Sequence, residues 1–237
     1  MTWSIIARET TSGRVGIIVA SKFFAVGSMV PHIKTGVGAL ATQAFVNPYY
    51  GTRGLALMSA GANAETAVNL LTVADEGRDN RQLHAMDKDG GFHGHTGAHC
   101  IPWCGHTLRD GFSVAGNMLA GPAVLEDTAV EFAARAELPL ARRLIAAMLA
   151  GERAGGDKRG KQSAALLIHD AEDYPLLDLR VDDHADPLAE LARLETVARE
   201  RWLHFRRVMP RRDAPDGLLD RNELDAFIAA SIESRFE

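Results

Sequence analysis

The order in which strand-like and helix-like segments follow one another constrains this fold more than any other feature of the sequence. Residues 2–8 (Thr-Trp-Ser-Ile-Ile-Ala-Arg) and 15–20 (Val-Gly-Ile-Ile-Val-Ala) flank the turn Thr11-Ser12-Gly13-Arg14. β-Branched and aromatic residues without a breaker, interrupted by a glycine turn, read as a β-hairpin. A third strand is expected at about 37–43. Helices are expected at 52–60 and 64–76. In the second, Ala64, Ala67, Val68, Leu71 and Ala74 recur at helical spacing, and Asn63 suits an N-cap. Strands return at 82–87 and 91–95 around Asp87-Lys88-Asp89-Gly90, and again at 111–117. A second helix pair fills 121–135 and 138–150. Leu140, Leu144, Ala147 and Met148 mark its buried stripe, and Gly151 ends it. Strands at 163–169 and 176–182 complete the series. A doubly wound sheet would alternate strand and helix singly. Runs of strands separated by helix pairs suit an α+β fold instead: two stacked antiparallel sheets with helices outside, a four-layer αββα sandwich.

From residue 186 the composition becomes more polar. Leu188, Leu191, Leu194 and Val197 form one stripe of an amphipathic helix over 186–207, and an acidic helix is expected over 219–234. The expected division is therefore a sandwich over 2–185 and a helical appendage over 186–237. Asp213-Ala-Pro-Asp-Gly-Leu-Leu-Asp-Arg-Asn-Glu223 looks superficially like a calcium loop. Its glycine comes one place early and a proline stands beside a ligand position, which excludes an EF-hand.

The chain has 237 residues, enough for a sizeable core, and a formal net charge of −5. That charge argues against a nucleic-acid partner. No apolar run reaches the 18 residues or so of a membrane span. The start lacks the basic, hydrophobic and small-residue pattern of a signal peptide, and two cysteines fit a reducing compartment, so a cytoplasmic location is expected. No cofactor is expected, and a homodimer is the default assembly.

Four regions carry chemistry. Thr2 follows Met1 directly, and a small second residue permits removal of the methionine. The new terminus would join a hydroxyl to an α-amine of ordinary pKa about 7.7–8.0, one known way to activate threonine. Lys22, just past the second strand, would come near Thr2 in an antiparallel hairpin and tune it; Lys34 is the competing choice. His93, His95, His99, Cys100, Cys104 and His106 are six potential metal ligands within fourteen residues, although their spacing matches no standard zinc pattern. Substrate contact by His95, His99 or His106, and a structural or surface role for the cluster, are the other readings. The loop 154–163, Ala-Gly-Gly-Asp-Lys-Arg-Gly-Lys-Gln-Ser, joins helix to strand, the wrong direction for a phosphate loop, and is expected to scaffold the Thr2 site.

The chain also resembles a bacterial family known as domain of unknown function 1028, which is grouped by fold with the N-terminal-nucleophile (Ntn) hydrolases. The resemblance rests on Thr-Trp-Ser-Ile-Ile-Ala-Arg (2–8), Val-Ala-Ser-Lys-Phe-Phe-Ala-Val-Gly-Ser (19–28), Thr-Gly-Val-Gly-Ala-Leu-Ala-Thr-Gln-Ala (35–44), Asn-Pro-Tyr-Tyr-Gly (47–51), Thr-Gly-Ala-His-Cys (96–100), Ala-Gly-Asn-Met-Leu-Ala-Gly (115–121), Ala-Gly-Gly-Asp-Lys-Arg-Gly-Lys-Gln-Ser-Ala-Ala-Leu (154–166) and Leu-Arg-Val-Asp-Asp-His (179–184). It covers about residues 2–190. Some relatives carry a C-terminal peptidoglycan-binding segment, which 186–237 does not match.

The element order is similar to that of a proteasome β-subunit. The resemblance implies a hydrolase that cleaves a C–N amide bond of a small, polar molecule, with Thr2 as nucleophile. By analogy of position, a backbone N–H near Ala44 or Phe45 would hold the oxyanion. Asn117 would assist the amine, and Asp157 would support it. Asn47, His95, His106, Asp157 and Arg159 are expected to shape the pocket. Ser21 stands where such enzymes carry an acid, which leaves the partner of Lys22 open. Two alternatives remain: a metal-dependent hydrolase built on the 93–106 cluster, and a non-catalytic Ntn-fold protein that keeps Met1.

Overall fold

The computed structural model describes residues 2–234. Ten strands and seven α-helices are found among them. Met1, on which exposure of the Thr2 amine depends, lies outside the described residues.

The opening hairpin is β1 (Thr2–Arg8) and β2 (Val15–Ser21). Its register pairs Thr2 with Ser21 and Arg8 with Val15. β3 (Pro31–Lys34) and β4 (Gly38–Ala44) follow, then helices α1 (Tyr49–Ser59) and α2 (Ala64–Val73). Asn63 caps α2 by accepting from the Thr66 N–H at 2.8 Å, which offsets one of the four unpaired donors of a helix start. The Asp87 carboxylate accepts from the Ala64 N–H at the same end. β5 (Arg81–Asp87), β6 (Phe92–Thr96), β7 (Gly105–Arg109) and β8 (Phe112–Asn117) come next. Helices α3 (Ala123–Ala134) and α4 (Leu140–Arg153) precede β9 (Ser163–His169) and β10 (Leu177–Val181).

All pairings are antiparallel. A six-stranded sheet has the order β10-β9-β2-β1-β8-β7, and a four-stranded sheet the order β3-β4-β5-β6. β1 and β2 pack on β4 and β5. Helices α1 and α2 cover the outer face of the small sheet, and α3 and α4 that of the large one. The expected αββα layering is present.

Side chains of a strand alternate between faces. From β1, Ile6 points between the sheets and joins Ile17, Val19, Ala39, Ala41 and Met86 in one buried cluster. Trp3, Ile5 and Ile18 point the other way and are also fully buried. Each such side chain stabilises the fold by roughly 1.5–3 kcal/mol. A β-carbon on Gly16 would lie 2.7 Å from Leu144 Cδ1, so glycine there lets α4 rest on β2.

Two strands and one helix break depart from the sequence reading. β3 is four residues long, begins with proline and stays half-exposed at a sheet edge, where proline is tolerated. β7 is a polar edge strand that closes a hairpin with β8 across Asp110 and Gly111. The expected helix 186–207 is divided into α5 (Pro187–Glu200) and α6 (Trp202–Arg206), because Arg201 leaves the helical region at φ −146. The last helix, α7, spans Arg221–Glu233. Asp220 caps it through the N–H groups of Asn222 and Glu223.

The chain divides after Leu191, inside α5, into two compact units. The first contains both sheets and α1–α4. In the second, buried His204 bonds Ser231 Oγ at 2.7 Å and so ties α6 to α7. Among the described residues no helix is long and apolar enough to cross a membrane.

Candidate active site

Thr2 sits at the end of β1, between Ser21 of β2 and Asn117 of β8. Its side chain is almost wholly buried, and Thr2 Oγ1 lies 3.1 Å from Ser21 Oγ. Two cavities lie at this end of β1, and Thr2 lines the smaller. One, of about 60 Å³, is lined by Thr2, Ser21, Val30, Gln43 and Ala44 among others. The other, of about 370 Å³, is lined by Phe45, Ile101, Asn117, Met118 and Arg159 among others. Phe23, Ala44 and Val46 border both.

Behind Thr2 the sheet interface changes from apolar to polar. Gln43 Nε2 and Asn117 Nδ2 donate to the Gln82 carboxamide oxygen, at 2.8 and 3.0 Å. Both nitrogens also face the Thr2 carbonyl. Gln82 Nε2 in turn faces three acceptors, Thr96 Oγ1, the Gly105 carbonyl and the Gly116 carbonyl, at 2.8–3.0 Å. Ser4 Oγ donates to Gln43 Oε1 at 2.8 Å. Its remaining capacity is as an acceptor, so the His84 Nε2 at 2.8 Å carries the proton. His84 Nδ1 is then an acceptor and takes the Ser113 hydroxyl proton at 2.7 Å. Burial pushes the His84 imidazole down to about 3, and nearby His106 adds to this. His84 is therefore neutral, in one tautomer fixed by its two serines. Ser4, Gln43, Gln82, His84 and Ser113 were not singled out by the sequence.

The loop after α4 comes to the same end of the large sheet. Asp157 is buried, accepts the Lys22 backbone N–H at 2.7 Å and pairs with Arg159. It also bridges to Leu119, just past β8. One residue, through its carboxylate on one side and its backbone on the other, thus joins the segments that leave both neighbours of β1. Lys22 itself points its ammonium to the Lys161 carbonyl at 3.0 Å, so the expected tuning of Thr2 by Lys22 has no contact behind it. Lys34 bonds Ser59 on α1.

The oxyanion candidates separate. The Phe45 N–H donates to the Asn80 carbonyl at 3.1 Å and is occupied. The Thr42 N–H faces the β3 side, where it donates to the Val30 carbonyl. Alternation along β4 turns the Ala44 N–H to the same side as that of Thr42, and Ala44 lines the small cavity. Ala44 has a left-handed φ of 68, which turns the chain sharply and presents Phe45 to the larger cavity. Asn47 is displaced from the site: it bonds Asp75 and caps the Tyr49 N–H on the α1 side.

The histidine and cysteine cluster does not converge. His93 and His95 pair with Ala85 and Leu83 on the outer face of the small sheet, and His95 Nε2 bonds the Arg78 carbonyl. His106 bonds Thr96 Oγ1, and its imidazole is held below the usual value by desolvation and by His93 and His95. Neither histidine lines the cavities beside Thr2; His99 and Cys100 line the larger one. Burial pushes the Cys100 thiol up to about 11, helped by Cys104, and burial also raises Cys104. Cys100 Sγ donates to the Arg81 carbonyl and Cys104 Sγ to the Cys100 carbonyl. Metal ligation needs convergent donors. Among the described residues no group of three or more His, Cys, Asp or Glu is arranged to hold a metal ion. The six candidate ligands of the 93–106 segment are therefore not gathered into one such group.

The chain is similar to several known proteins. The crystal structure of a protein from Silicibacter pomeroyi, assigned to DUF1028, is 32% identical, with a TM-score of 0.86, over 93% of this chain and 96% of that one. Anbu (ancestral beta-subunit) from Yersinia bercovieri is 11% identical with a TM-score of 0.42, over 83% and 94% of the two chains. An Anbu Gly-1 mutant from Hyphomicrobium sp. strain MC1 is 13% identical with a TM-score of 0.44, over 84% and 94%. No curated protein matches. The model of the family of unknown function DUF1028 matches residues 2–191, and the chain belongs to that family.

Proposed function

We propose that the protein is an Ntn-type hydrolase that cleaves a C–N amide bond of a small molecule, with Thr2 as nucleophile after Met1 is removed. The observation that carries this reading is the place of Thr2: a hydroxyl at the end of a central strand, lining a small cavity that shares Phe23, Ala44 and Val46 with a larger one, with side-chain donors facing its carbonyl from both sheets. Thr2 Oγ attacks the carbonyl carbon while the α-amine takes its proton, and the carbonyl electron pair moves to oxygen. The Ala44 N–H faces that oxygen; losing one such donor typically costs about 10²–10³ in rate. The amine then returns the proton to the leaving nitrogen, the C–N bond breaks, and an acyl ester on Thr2 remains. Water, deprotonated by the same amine, hydrolyses the ester and releases a carboxylic acid. Gln43 and Asn117 fix the Thr2 backbone, and Asp157 with Arg159 holds the loop beside it. Lys22 has no part in the proton transfers.

The test pairs intact-mass measurement with turnover of a panel of simple amides. The expected protein lacks Met1 and is active; Thr2→Ala loses Met1 equally but is inactive, and Thr2→Ser keeps part of the rate. Retention of Met1, or full activity in Thr2→Ala, would overturn the reading and leave a non-catalytic binding protein.

A further inference from the structure

We propose that the 370 Å³ cavity beside Thr2 binds an aromatic or branched-aliphatic group, so that the amide cleaved at Thr2 carries an apolar substituent instead of the small polar one that the sequence suggests. This rests on the hydrolase reading for its chemistry but not for its binding. The cavity has the volume of a small-molecule site. Its mouth is set with large apolar side chains left open: Phe45 is 72% exposed, Phe23 52% and Ile101 48%. Such side chains gathered around one concavity mark a recognition surface, unlike apolar residues scattered singly.

These side chains are held out by backbone fixed elsewhere. The Phe45 N–H is bonded to Asn80, and its carbonyl accepts from Arg81 Nη1. The Phe23 carbonyl accepts from Ser163 Oγ, and the Ile101 carbonyl from the Met118 N–H at 2.8 Å. Backbone strain points to the same place. Among the described residues three without glycine's freedom have a positive φ, and two of them, Ala44 (φ 68) and Met118 (φ 53), line this cavity. Such strain persists where the surroundings over-determine it and gathers at ligand sites. Asn117 gives the pocket a polar end next to Thr2, so an apolar group in the cavity would leave its carboxamide facing the nucleophile.

The test is equilibrium binding of phenylacetamide and of acetamide to the full-length Thr2→Ala protein, where no turnover interferes, followed by titration calorimetry or ligand-observed NMR. The aromatic amide is expected to bind about tenfold or more tightly than acetamide. Phe45→Ala and Ile101→Asp, both at exposed positions that do not support the core, are expected to remove most of that preference. Equal binding of the two amides, or a preference that both substitutions leave intact, would overturn the proposal. Hydrolysis by the wild-type protein is scored separately. If phenylacetamide binds in a Phe45-dependent way and no amide of the panel is cleaved, the hydrolase reading fails and the pocket stands. If polar amides are cleaved while phenylacetamide is not preferred, the pocket fails and the hydrolase reading stands.

Discussion

Gln43 and Asn117 reach the same oxygen from opposite sheets: the carboxamide nitrogen of each lies 3.5 Å from the Thr2 carbonyl. The two are also joined through Gln82, whose oxygen accepts from both. The end of β1 is therefore clamped by side chains, where an ordinary strand terminus would fray.

That clamp predicts a graded response at position 117. Asn117→Ala removes one donor from the buried Gln82 oxygen and is expected to cost about 1–3 kcal/mol. In a chain of this size each kcal/mol lowers Tm by roughly 2–4 °C. Asn117→Asp places a carboxylate against two acceptor oxygens and is expected to cost more than alanine does. Thermal melts of the two variants give the order; an aspartate variant as stable as the wild type would contradict the clamp.

His84 predicts an acid-sensitive interface. The sign follows from a pKa of about 3 in the fold against 6.5 in the unfolded chain. Above pH 6.5 both states are neutral and the contribution is complete. As pH falls from 6.5 towards 3 the unfolded state takes up a proton that the fold refuses, so stability falls, by about 1.4 kcal/mol per pH unit at most. Denaturant unfolding followed from pH 7 to 4 should show this slope. His84→Gln should be less stable at pH 7 but lack the His84 share of the slope.

Asp75 predicts coupling between the α1 side and the cavity mouth. Burial alone would raise its carboxyl, but bonds from Tyr50, Asn47, the Gly77 N–H and Arg81 outweigh that and hold it at about 2. Arg81 also reaches the Phe45 carbonyl. Asp75→Asn is expected to destabilise by roughly 1–3 kcal/mol and to speed hydrogen exchange at the Phe45 amide. Unchanged exchange there would show that Arg81 keeps its place without Asp75.

The thiols predict low reactivity. With Cys100 raised to about 11 and Cys104 raised too, alkylation by iodoacetamide at pH 7.5 is expected to run well below the rate of free cysteine, since the thiolate is the reactive form. Modification as fast as for free cysteine would place at least one sulfur in a more polar setting.

The layering was legible because its signals are long-range in pattern: hairpin turns, helix stripes and the order of pairs. β3 and β7 were not, because Pro-His-Ile-Lys and Gly-His-Thr-Leu-Arg are short, polar edge strands with little periodic contrast. Part of the Thr2 neighbourhood was legible for the same reason as the fold. Once β1, β4 and β8 are placed, Ala44 and Asn117 must lie near Thr2, and Asp157 follows from the loop into β9. The polar layer was hidden. In β5, Gln82 and His84 alternate with Leu83 and Ala85, which reads as a wet face against a dry one, yet both faces are buried, one under helices and one under the second sheet. Asn47 and Lys22 show the other failure: nearness along the chain does not fix where a side chain turns.

The assigned protons between the sheets also have a heading. The Ser113 hydroxyl gives to His84, His84 to Ser4, Ser4 to Gln43 and Gln43 to Gln82, all in one sense. Aligned dipoles of this kind strengthen one another in a low-dielectric interior. The row ends in carboxamides, which neither accept nor release a proton near neutral pH. It can therefore carry orientation from one end to the other while conducting no charge, an insulated strut beneath a reactive terminus.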